Sequence, residues 1–217
     1  MKCINHLFVD LEEYRTPSEM KSYFIEKKKL INENEEFIKL ARLKKGRVKE
    51  FLEEFYPLYL FSQSQYCEKD FKCKIILGNQ GYDGSIIKDG EEVRKIEITS
   101  YFDGKWEFED AKRLNSRGYG EVRFGDHKSI DERVPSYFEK VIENIKKKSQ
   151  KNYNDVSILF VVSTVDYFGV YDKNEQQFVD ELKHEIFNIE FMAYEIFLLV
   201  LNGQSVDDID QNLYFIK

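Results

Sequence analysis

The feature that most constrains this chain is a two-residue polar turn between strand-like runs. Ser85-Ile86-Ile87 leads into Lys88-Asp89-Gly90, and Val93 to Thr99 leads out of it. Asp-Gly between apolar runs is a strong hairpin signal, because the favoured turn needs positive φ at both central residues. A hairpin commits its neighbours to a sheet, and the two-residue period then sorts the outgoing strand. Ile96 and Ile98 point to one face, and Lys95, Glu97 and Thr99 to the other. Polar groups on that second face cost free energy if they are buried without partners. Asp83 stands at the head of the incoming strand, behind a glycine-flanked turn. The hairpin can therefore bring Asp83 and Glu97 together on neighbouring strands, where two hard carboxylate donors suit a divalent cation such as magnesium.

Elsewhere the patterning predicts alternating helices and strands. His6 to Val9 reads as a short strand, and Thr16-Pro17-Ser18-Glu19 as a capped helix start. Lys27-Lys28-Lys29 reads as a solvated helix face, with a phosphate contact as the alternative. From Glu35 to Tyr56, Phe37, Leu40, Ala41, Val48, Phe51, Leu52 and Phe55 recur at helical spacing, with Gly46 as an interruption and Pro57 marking an end or a kink near Tyr56. Helical phase puts Glu54 at the border of that stripe and turns Glu50 and Glu53 away from it. Cys73 to Leu77 reads as the first core strand. A short helix is predicted over Phe108 to Asn115. Another starts at Pro135 and runs to Lys148, with Phe138, Val141, Ile142 and Ile145 as its apolar stripe. Val156 to Val162 is nearly all apolar, which suits a strand buried on both faces. Glu175 to Phe187 reads as a helix, Phe191 to Leu201 as a strand with a helix as the alternative, and Leu213 to Ile216 as an edge strand.

Between Tyr101 and Val134 the chain interleaves Lys105, Lys112, Arg113, Arg117, Arg123, His127 and Lys128 with Tyr101, Trp106 and Tyr119. Such interleaving suits contacts with nucleic-acid backbone and bases; a solvated excursion anchored by Trp106 is the competing reading. The formal net charge of −7 means that the overall field does not attract nucleic acid, so any such contact needs a local basic surface.

The order of elements, with Tyr82-Asp83 on one strand and Glu97-Ile98-Thr99 on the next, resembles the PD-(D/E)XK nuclease superfamily, the restriction-endonuclease-like fold. The resemblance spans roughly residues 35–200, leaving 1–34 as a helical extension of a single domain over 1–217. It implies an α/β fold with a mixed central sheet flanked by helices. It further implies magnesium or manganese held by Asp83 and Glu97, helped by Glu54 on the preceding helix, and hydrolysis of phosphodiesters in nucleic acid, with DNA favoured over RNA and the choice left open. A role in defence against foreign DNA is compatible with it. Tyr82 replaces the family's proline, and Thr99 replaces its lysine, which is thought to position water and stabilise developing charge. Thr99 can hydrogen-bond but carries no charge. Lys148 borders the stripe of its helix near the sheet, whereas Lys147 points away, and the superfamily includes members with a lysine on this helix ahead of a tyrosine, as with Lys148 and Tyr153. The alternative is that Lys146-Lys147-Lys148 simply complements a helix C-terminus. Two functions stay open at this point: a metal-dependent nuclease, or a catalytically weakened relative that binds nucleic acid or protein.

Other chemistry finds no footing. The 217 residues include 18 Phe and 14 Tyr, enough apolar surface for a real core. Three cysteines (Cys3, Cys67, Cys73) form no CxxC pair, and the three histidines show no metal spacing. Neither a secretory apolar segment nor a span longer than Ile196 to Leu201 is present, so a reduced, cytoplasmic protein away from membranes is the expectation.

Overall fold

Thr16 opens the first helix by pairing with the fourth residue of its own turn. Its backbone N–H donates to Glu19 Oε2 at 2.7 Å and its hydroxyl accepts from the Glu19 amide at 3.4 Å, a reciprocal capping box at the head of α1 (Pro17–Asn32). The computed structural model describes residues 4–78, 80–101, 104–119, 130–168, 174–203 and 209–217. Ahead of α1 the expected strand at His6 to Val9 is instead a 3₁₀ turn over Ile4–Phe8. Ile4 and Phe8 stand four residues apart and are both buried, and a helical turn puts such a pair on one side where a strand would also need the residues between them covered.

The predicted long helix is broken into pieces. Asn34 caps α2 (Glu35–Arg42), accepting from the amides of Glu36 and Phe37 at 3.0 and 3.3 Å. Lys44 and Gly46 then take positive φ of 45° and 61°, and α3 (Arg47–Glu50) restarts with its first amide held by Asn5 Oδ1 at 3.2 Å. A π-helical turn over Phe51–Phe55 follows, in which the Tyr56 amide donates to Phe51 O, five residues back. The helix does not end at Pro57 but continues as α4 (Tyr56–Ser62). The widened turn accommodates a residue that has no N–H and whose ring would crowd a regular preceding turn.

The hairpin forms as its turn residues dictate. Strands β1 (Lys72–Ile75), β2 (Gly84–Lys88) and β3 (Glu91–Ser100) make an antiparallel meander. Asp89 and Gly90 both have positive φ, 52° and 87°, at the tip. Helix α5 (Gly104–Arg117) is longer than predicted, and α6 (Ile130–Ser149) contains Pro135 rather than starting at it. Burial of Tyr137, Val141, Ile142 and Ile145 outweighs the one backbone bond the proline removes. The rest of the chain supplies β4 (Asn152–Tyr153), β5 (Ser157–Ser163), α7 (Val165–Phe168), α8 (Asn174–Asn188), β6 (Met192–Ala193), β7 (Ile196–Leu201), α9 (Ile209–Asn212) and β8 (Leu213–Phe215).

The fold is mixed α/β. Six strands lie in the order β1-β2-β3-β5-β7-β8, and β4 and β6 form a separate parallel pair. β3, β5 and β7 run parallel to one another, and β8 closes the far edge antiparallel. β5 and β7 are buried on both faces, which explains their unbroken apolar sequences. Ile96, Ile98, Leu159, Val161, Phe197 and Leu199 pack under α1 to α4. Ile158, Phe160, Val162, Ile196, Leu198 and Val200 pack under α6 and α8. Glu97 and Thr99 alternate with Ile96 and Ile98, so they share the face turned to α6. Among the described residues no helix is long and apolar enough to cross a membrane.

Candidate functional site

Asp83 sits where β2 begins. Its amide donates to Ile96 O at 2.9 Å, the last rung in line with the ladder. One residue pair further along, β3 has lost its β2 partner, and the Asp83 carboxylate takes that place: Oδ2 accepts from the Ile98 amide at 2.8 Å. The site therefore forms at the N-terminal end of β2, where a β3 backbone donor has the Asp83 side chain for a partner instead of β2 backbone. Burial pushes the Asp83 carboxyl up to about 6, and the neighbouring negative charge of Glu97 adds to the rise; the Ile98 amide and the cations of Lys148 and Lys151 offset part of it.

Glu97 follows one position before Ile98 and is 8 % exposed. A carboxylate that deep needs partners. Two donors converge on its Oε1: the ammonium of Lys148 near the end of α6, and the hydroxyl of Tyr153 on β4 at 3.2 Å. Lys147, one residue earlier, faces away and pairs with Glu143 at 2.7 Å. Lys95 lies lower on β3 and pairs with Asp155 at 2.6 Å, outside the site. Burial and the Glu97 charge both raise the Tyr153 phenol, so it stays a donor throughout the physiological range.

Glu54 approaches from the opposite side, on the π turn. Burial pushes its carboxyl to about 7, with the charges of Asp83 and then Glu50 adding to the shift. Glu50 does not point away as helical phase predicted. Its Oε2 is buried without a hydrogen-bond partner, and it stands four residues before Glu54, on the same side of the helical run. Glu53 does face outward, toward Lys44 and Lys49 at 3.6 and 3.8 Å. Thr99 is only 6 % exposed, and its hydroxyl has no hydrogen-bond partner.

The chain thus brings Asp83, Glu97 and Lys148 together, with Glu54 beside Asp83. Tyr153, noted in the sequence only as the tyrosine that follows Lys148, joins them, as does Glu50, to which the sequence pattern gave no site role; the usable signal for Glu50 was its four-residue spacing from Glu54. Of the basic and aromatic residues between Tyr101 and Val134, Arg123, His127 and Lys128 lie outside the described residues, as do the side chains of Lys105 and Trp106. Lys112 and Arg113 pair with Glu109 and Asp110 on α5. Lys27 is drawn to Asp10 and lies over the Tyr23 ring, and Lys29 pairs with Glu33.

These donors fit a hard cation. All are carboxylate oxygens, burial and neighbouring negative charge raise Asp83 to about 6 and Glu54 to about 7, and a further buried oxygen on Glu50 has no partner among the described residues. Among the described residues no three Asp, Glu, His or Cys side chains form a ready-made cage. Magnesium is usually held by one or two carboxylates, several waters and a substrate phosphate. Compared with known protein families, curated proteins and solved structures, the chain matches none.

Proposed function

We propose that the protein is a metal-dependent phosphodiesterase of nucleic acid, built on a restriction-endonuclease-like fold. The observation that carries this reading is the ammonium of Lys148 on Glu97, beside Asp83. The lysine absent at Thr99 has a replacement from the crossover helix, on the same face. Further support comes from the antiparallel meander followed by a helical crossover into a parallel strand.

Asp83 and Glu97 would hold magnesium or manganese, with Glu54 adjoining. Bound there, the metal supplies a Lewis acid for the phosphoryl oxygens and lowers the pKa of its water. The protein's own part is positioning and charge. The Ile98 amide fixes the Asp83 carboxylate, and Tyr153 fixes Glu97. Lys148 provides a positive charge for the oxygens that become more negative during attack. Thr99 offers a buried hydroxyl to a water or phosphoryl oxygen. The test is cleavage of labelled single- and double-stranded DNA and RNA with magnesium or manganese. Wild type should cut at least one of these, Asp83→Asn should not, and Lys148→Ala should cut more slowly than Lys147→Ala. Equal residual activity in Asp83→Asn would remove the reading.

One observation favours a second reading, a weakened relative that binds without cutting. Glu97 already takes two donors on one oxygen, which leaves it less acceptor capacity for a cation. Tight nucleic-acid binding with no cleavage under either metal would select it.

A further inference from the structure

Between Phe37 and Lys49 the sequence reads FIKLARLKKGRVK, with six cations and no carboxylate, in a chain of formal net charge −7. The segment spans most of α2, the turn and most of α3. Its shape is fixed rather than loose. Gly46 adopts φ 61°, and a Cβ there would fall 2.8 Å from Asn5 Oδ1. The same Asn5 oxygen accepts from the Arg47 amide, and the Arg47 guanidinium donates to Phe8 O at 3.0 Å. The turn is therefore clamped from behind by the N-terminal 3₁₀ segment, while Arg42, Lys45 and Lys49 are exposed.

Helix α5 extends this surface. Asn115 donates to Lys39 O at 2.8 Å and accepts from the Arg42 guanidinium at 3.3 Å, which ties the two helices together. The ring of Phe108 lies between two ammonium groups, Lys112 at 4.3 Å and Lys45 at 5.4 Å from its centroid. Arg117 is exposed at the C-terminal end of α5. Among the described residues Arg42, Lys45 and Arg117 have no carboxylate within ion-pair distance, unlike Lys29, Lys147 or Lys183. Exposed cations without ion-pair partners create a local positive potential that attracts a polyanion, even on a net acidic protein.

We propose that the clamped basic turn between α2 and α3, together with the C-terminal half of α5, binds the phosphate backbone of a nucleic-acid strand. The turn runs directly into the helical stretch that carries Glu50 and Glu54. A strand seated on Arg42, Lys45 and Arg117 would be held by the element that continues into Glu50 and Glu54. The proposal rests on the nuclease reading for its destination, though not for the binding itself. Nucleic acid fits the surface better than an acidic peptide, because the cations lie on two tied elements with an aromatic ring, Phe108, beside them on which a base can stack.

The test is binding of labelled single-stranded DNA, duplex DNA and RNA by fluorescence anisotropy, in EDTA, over a salt series. Wild type should bind with a steep salt dependence. The triple variant Arg42→Gln, Lys45→Gln, Arg117→Gln should bind at least ~10-fold more weakly at low salt. Its log-log salt slope should fall by about 2–3, since each lost phosphate contact removes ~0.9 for duplex DNA and ~0.7 for a single strand. The three nucleic acids identify which strand type the surface prefers. Lys28→Gln with Lys29→Gln, on α1, should leave affinity and slope unchanged. If the triple variant melts early, Lys45→Gln with Arg117→Gln keeps the Arg42–Asn115 bond and should lower the slope by about 1–2. No binding by wild type, or an unaltered slope in the folded variants, overturns the proposal. EDTA keeps this outcome separate from the metal-dependent one: loss of the cation response leaves these slopes unchanged, and failure of the surface leaves the cation response intact.

Discussion

Replacing Asp83 with asparagine should make the metal-free protein more stable at neutral pH. In the folded protein the carboxyl titrates at about 6, above the ordinary aspartate value of about 3.9. The folded state therefore holds this proton more tightly than the unfolded chain does. Its contribution favours folding below about pH 4 and is lost as pH rises through about 6. Two pKa units correspond to about 3 kcal/mol of strain in the charged form. Partial exposure of the site and solvent screening reduce that to about 1–2 kcal/mol. Asparagine keeps an oxygen for the Ile98 amide and carries no charge for Glu97 to repel. A chain of this length gains about 2–4 °C in melting temperature per kcal/mol, so Asp83→Asn should melt about 2–8 °C higher in EDTA at neutral pH. Near pH 4 the difference should vanish, because wild-type Asp83 is then protonated in the folded state. Thermal and urea unfolding at the two pH values measure this directly. If Asp83→Asn is less stable than wild type at neutral pH without metal, the carboxylate is a structural acceptor and the strained-acid account is refuted.

Other substitutions separate the partners. Lys148→Ala leaves Glu97 buried with only Tyr153 and should cost about 3 kcal/mol in urea unfolding, whereas Lys147→Ala, on a solvated pair, should leave the melting temperature nearly unchanged. Tyr153→Phe keeps the ring but removes the hydrogen bond to Glu97, with an expected loss of about 1–2 kcal/mol by the same measurement. Gly46→Ala should destabilise by at least about 1 kcal/mol, since φ is positive and the new methyl group meets Asn5; unchanged stability would show that the turn is not clamped.

The parts of this structure that the sequence foretold are those governed by local chemistry. Asp89-Gly90 announces its turn because few residues accept two successive positive φ angles. The place of Lys148, one side of α6 away from Lys147, follows from helical phase alone. Contacts distant in sequence escaped such reading. Nothing near Gly46 reveals that Asn5 will hold the restart of α3, and Pro57 signals an end or a kink without choosing between them or announcing a π turn. That turn also shifts the phase that was used to place Glu50. Tyr153 reaches Glu97 from a strand whose partner, β6, comes much later in the chain, so its place depends on a pairing that no local pattern encodes.

Cation binding at Asp83 tests the account most directly. Calorimetric titration of manganese into the apo protein at neutral pH should give one saturable site in wild type. Asp83→Asn should abolish it, and the melting temperature of wild type alone should rise with the metal. Equal manganese binding by wild type and Asp83→Asn, or none by either, would contradict it.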